Sequence, residues 1–71
     1  MPIIRLLQYE AFRPADVSVI IGAFESAVSV LRLTDRDDPE TVERAAKKII
    51  ECARTGERDP IRLRSYAIRS L

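Results

Sequence analysis

Histidine is absent from this 71-residue chain, and cysteine occurs once, as Cys52. Together these absences exclude a disulfide framework and the Cys/His ligand sets of a structural zinc site. They also leave the one thiol without an imidazole to activate it, so Cys52 reads as a small hydrophobe on a helix flank. Glycine is nearly as scarce. Gly22 and Gly56 are the only two, which fits a mostly helical chain and leaves no Gly-rich phosphate loop. An excess of one charge is lacking too, with twelve Lys/Arg against eleven Asp/Glu and a net charge of +1. A chain built to coat nucleic acid or an anionic membrane usually needs a large positive excess. No long apolar run is present: the uncharged stretch Val17–Phe24 is too short to span a bilayer. The opening Met1-Pro2-Ile3-Ile4-Arg5 lacks the basic, apolar and small-residue order of a signal peptide. The expected compartment is the cytoplasm.

What is present is punctuation. Arg13-Pro14, Asp38-Pro39 and Asp59-Pro60 each place a proline where a helix can begin, with Val17, Val42 and Leu63 three residues on. Proline at the first helical position loses no hydrogen bond, its φ is already helical, and the residue before it is pushed out of the helical region. The spacing predicts three helices over about 14–33, 39–55 and 60–70, an all-α, three-helix, bundle-like domain spanning 14–71. Residues 1–13 precede it as an amino-terminal arm. Within Ile3–Phe12 neither alternate nor helical spacing separates apolar from polar residues, so the arm is expected to be extended or irregular, with a short strand as an option.

The first predicted helix carries a regular stripe of Val17, Ile20, Ile21, Phe24, Ala27, Val28 and Leu31. A second apolar row, Val19, Ala23 and Val30, widens that surface, and Gly22 offers room for close backbone approach. The second predicted helix places Val42, Ala45, Ala46, Ile49 and Ala53 on one face. Its opposite face sets out Glu40–Arg44, Glu43–Lys47 and Lys47–Glu51 at i,i+4 spacing. Asp38 and Asp59 are the expected N-caps of the second and third helices, and Gly56 is placed to end the second. On the third, Leu63, Tyr66, Ala67 and Leu71 line up while Ile61 and Ile68 fall off the stripe. A domain of this size buries only about 60% of its unfolded surface. With disulfide and zinc excluded, association is the remaining common source of stability. The surplus apolar residues Val19, Ala23, Val30, Ile61 and Ile68 are therefore the expected interface.

No constellation for catalysis, metal or cofactor can be assembled. The carboxylates of 35–40 lack the alternation and glycine of a calcium loop, and Tyr9 and Tyr66 read as core or interface anchors. No small-molecule substrate is implied. The expectation is a non-enzymatic protein–protein interaction module, a homodimer or an accessory subunit, with no cofactor and no membrane role. A DNA-binding regulator is the alternative. Residues 34–43 hold five acids and one base whereas 54–71 hold five arginines and two acids. Arg62, Ser65 and Arg69 share a face of the third helix, as a helix-turn-helix recognition helix would need. An amino-terminal strand before two helices would instead give the ribbon-helix-helix order.

Three segments, Asp35-Arg36-Asp37-Asp38-Pro39, Ala46-Lys47-Lys48-Ile49-Ile50-Glu51 and Thr55-Gly56-Glu57-Arg58-Asp59-Pro60-Ile61-Arg62-Leu63-Arg64, follow a helix containing Ala23-Phe24-Glu25. Over roughly residues 12–65 this arrangement resembles a family of short, uncharacterised bacterial proteins. The resemblance implies a compact all-α unit of the bacterial cytoplasm and carries no activity or catalytic residue with it.

Overall fold

Each of the four prolines opens a helix. In the computed structural model, which describes residues 2–71, α1 spans Pro2–Leu7, α2 Pro14–Val30, α3 Pro39–Arg54 and α4 Pro60–Ser70. The three expected helices start where the prolines set them, and the described residues contain no strand. α2, α3 and α4 each pack on both of the others, while α1 rests on α3 and α2 without touching α4.

Ile3, Ile20, Phe24, Val42, Ile49, Ile50 and Leu63 supply the large side chains of the single core, each worth about 1.5–3 kcal/mol when fully buried. Six of its thirteen buried residues are alanines, Ala23, Ala27, Ala45, Ala46, Ala53 and Ala67, which let the helices approach closely. The radius of gyration, 10.8 Å, matches the roughly 11 Å of a compact chain of this length. The accessible surface, 4656 Å², is close to the roughly 4,500 Å² of a free-standing globule of this mass.

The arm corrects the expectation of an extended or irregular start. Pro2–Leu7 is helical and puts Ile3 into the shared core, and the connector after it lacks helix. Six residues are too few for a stable isolated helix, so tertiary contacts hold this one. Arg5 pairs with Glu43 of α3, and Glu10 pairs with Arg54. α2 stops at Val30, short of the expected Leu33. Arg32 takes a left-handed φ of 55°, its N–H bonds the Ser29 carbonyl, and the Leu33 N–H reaches back to Val28, a Schellman ending.

Three local expectations are also corrected. Asp59 caps α4, its Oδ1 accepting from Ile61 N at 2.9 Å and Arg62 N at 3.4 Å, but Asp38 makes no such bond to α3. Its Oδ2 instead accepts from Thr34 N at 3.4 Å. The i,i+4 ladder on α3 does not form, because Glu43 is taken by Arg5 and Glu51 pairs with Lys48 at i,i+3. Gly22 faces open space, with nothing near enough to meet a Cβ, so no other element approaches it closely.

Candidate functional site

Where α1 ends, the chain makes one further turn instead of extending the helix: Tyr9 N bonds Leu6 O at 3.3 Å and Glu10 N bonds Leu7 O at 3.1 Å. This turn leaves Tyr9 83% exposed. It also directs Glu10 at α3, where Arg54 grips the carboxylate through Nε–Oε1 at 2.9 Å and Nη2–Oε2 at 2.5 Å. Between the turn and α3 lies a groove of about 390 Å³ with Leu6 and Ile50 as its apolar floor. Tyr9, Glu10, Lys47, Glu51 and Arg54 complete its lining.

The charges of this rim are mixed in sign. Arg54 holds the Glu10 carboxyl below its ordinary value, chiefly through the two hydrogen bonds. Glu51 is likewise lowered, first by the hydrogen bond from Lys48 and then by the Tyr66 hydroxyl. A carboxyl lowered by folding adds stability above its unfolded pKa of 4.5, and that contribution is lost as pH falls through the folded value. The hold of the arm on α3 should therefore loosen in acid, measurable as lower amide protection factors over residues 3–10 once the intrinsic pH dependence of exchange is divided out. Unchanged protection would show that Ile3 and its apolar neighbours hold the arm without the ion pair.

Two shallower hollows lie elsewhere. One, of about 350 Å³, sits between α2 and α3 over Phe24, Val28 and Val42. The other, of about 290 Å³, is the acidic start of α3 around Asp37, Asp38 and Glu40. Among the described residues no group of His, Cys, Asp or Glu is arranged to hold a metal. Burial, followed by the charges of Glu57 and Glu51, pushes the Cys52 thiol up, away from the thiolate a nucleophile needs. The hydrogen bond to Glu51 raises Tyr66. Among the described residues no helix is long and apolar enough to cross a membrane.

The structure separates the expected interface residues. Ala23, 1% exposed, belongs to the core, and Val19 and Ile68 are half-buried against it. Val30 and Ile61 remain in solvent, 58% and 61% exposed. Arg62 and Arg69 are exposed and Ser65 is half-buried. Arg69 Nε donates to the Ser65 carbonyl at 3.3 Å, and Arg62 Nη1 lies 3.9 Å from Glu57 Oε1. The ribbon-helix-helix order fails at its first element, since α1 occupies the place of the strand.

Spacing alone missed the groove because α1 was not visible, although Pro2 repeats the signal that marked the other three helices. It also missed Arg58. That guanidinium donates to Ala53 O and Glu57 O at 2.7 Å each, lies 3.3 Å from Asp16 and sits 5.1 Å over the Phe12 ring. Comparison with protein-family models, curated proteins and solved structures finds no match to this chain.

Proposed function

We propose that the chain is a small non-enzymatic interaction module of the bacterial cytoplasm that works as a homodimer. The observation that carries this reading is Tyr9, an aromatic side chain 83% exposed beside an apolar-floored groove. Tyrosine is enriched at interfaces because it offers a large, stiff contact surface with a polar tip. Ile4 of α1, 48% exposed, adds apolar surface that the core does not absorb. Solution mass, read by light scattering behind size exclusion over a concentration series, tests the proposal. A dimer at the higher concentrations is expected, and a monomer throughout would overturn self-association.

The DNA-binding alternative gains nothing from α4. Arg69 is turned onto its own helix and Arg62 is near an acid, so Arg62, Ser65 and Arg69 do not present a free basic row. Titration with mixed duplex DNA at low salt separates the two readings, because phosphate contacts would give affinity that falls as salt rises. No binding at low salt is the expected result.

A further inference from the structure

We propose that the two copies meet through the α1–α3 groove, each inserting its Tyr9 into the groove of the other about a two-fold axis. This inference rests on the homodimer reading above and names the face that mediates it. An isologous contact requires one patch to be complementary to itself, so it must carry both a projection and a cavity, and charges of both signs. This face has each of them. Tyr9 is the projection, and the groove of about 390 Å³ over Leu6 and Ile50 is the cavity beside it.

The rim is balanced, with Glu10 and Glu51 against Lys47 and Arg54. Such a rim does not suit a polyanion, and it suits a surface with the same four charges in reversed order. Arg54 is occupied by Glu10, and Glu51 holds Lys48 at 3.2 Å while its side chain stays 52% exposed, whereas Lys47 has no ion-pair partner among the described residues. Lys47 and Glu51 lie one helical turn apart on α3 and share an exposed edge. A two-fold axis passing between them brings Lys47 of one copy to Glu51 of the other, and the reverse. A stable dimer needs about 800 Å² from each partner. That is about one sixth of the 4656 Å² surface, within reach of a face that includes α1 and the exposed side of α3.

The test is sedimentation equilibrium of the full chain and of surface variants, with helicity checked by circular dichroism. Tyr9→Ala should raise the dimer dissociation constant at least about tenfold, as loss of a central aromatic anchor does. Lys47→Glu should raise it several-fold, and mixing that variant with Glu51→Lys should restore association near the original value, a rescue between chains that an i,i+4 pair within one helix would not give. Val30→Glu and Ile61→Glu should leave it unchanged. A dimer insensitive to Tyr9→Ala, or one broken by Val30→Glu or Ile61→Glu, would overturn this face while leaving self-association standing. No rescue on mixing the two variants would overturn the proposed two-fold contact. A monomeric original chain at every concentration would overturn the homodimer reading as well.

Discussion

The connector between α2 and α3 and the connector between α3 and α4 both end in Asp-Pro, yet the two aspartates do opposite things. Asp59 has extended backbone at φ −76° and ψ 117°, and its carboxylate turns forward to cap α4. Asp38, at φ −130° and ψ 49°, turns back: its N–H bonds Thr34 O at 2.8 Å and its Oδ2 accepts from Thr34 N. The difference arises upstream. In the shorter connector Glu57 Oε2 accepts the Asp59 N–H at 3.1 Å, which leaves the aspartate side chain free for the helix. In the longer one Thr34 Oγ1 accepts from Asp37 N at 2.9 Å, closing a local turn that then uses Asp38. Proline thus sets where a helix begins, and the residues before it decide how that end is satisfied.

The helix exits that lead into these connectors differ in the same direction. α3 ends on Gly56 at φ 103°, a conformation that costs glycine little, with Thr55 Oγ1 also donating to Cys52 O at 2.6 Å. α2 ends on Arg32 at φ 55°, where a side chain resists the left-handed region. The α3–α4 connector is further tied down by Arg58, which joins the end of α3 to Phe12 and Asp16. One connector is held by several independent devices, and the other carries backbone strain and uses its cap elsewhere.

Substitutions can break this contrast, each read by urea melts of the variant against the original chain. Arg58→Ala should cost most, about 2 kcal/mol, since it removes two hydrogen bonds to carbonyls, an ion pair and the aromatic contact at once. Gly56→Ala should cost about 1–2 kcal/mol by forcing a Cβ into positive φ, although space around it is open. Asp59→Ala should cost about 1 kcal/mol through the lost cap. In the other connector Arg32→Gly should stabilise by about 0.5 kcal/mol, relief of strain outweighing the greater freedom of the unfolded glycine. Asp38→Ala should change stability least, by no more than about 0.5 kcal/mol, as expected of a half-buried side chain whose single hydrogen bond is 3.4 Å long and which caps nothing. Equal losses for Asp38→Ala and Asp59→Ala would contradict the contrast, as would destabilisation by Arg32→Gly.

The same physics explains what the sequence made legible. Helices α2, α3 and α4 could be placed from Pro14, Pro39 and Pro60 because proline acts on its own residue and the one before it. The apolar stripe of α3 was legible from Val42, Ala45, Ala46, Ile49 and Ala53, all of which are buried. α1 was not, because its stability comes from Ile3 in the core and from pairs 38 and 44 residues apart, Arg5–Glu43 and Arg54–Glu10. The groove was invisible for the same reason, since both of its walls meet only after those long-range contacts form. On α2, spacing gave two apolar rows and burial divided them differently: Ala23 went to the core and Val30 to solvent.

The pairing of two copies through the α1–α3 groove is tested most directly by backbone amide shifts followed on dilution of the full chain. Pairing through this groove should give concentration-dependent shifts over Leu6–Glu10 and Lys47–Arg54, with Val30 and Ile61 unmoved. Shifts confined to Val30 and Ile61, or none at any residue over a range that changes the solution mass, would contradict it.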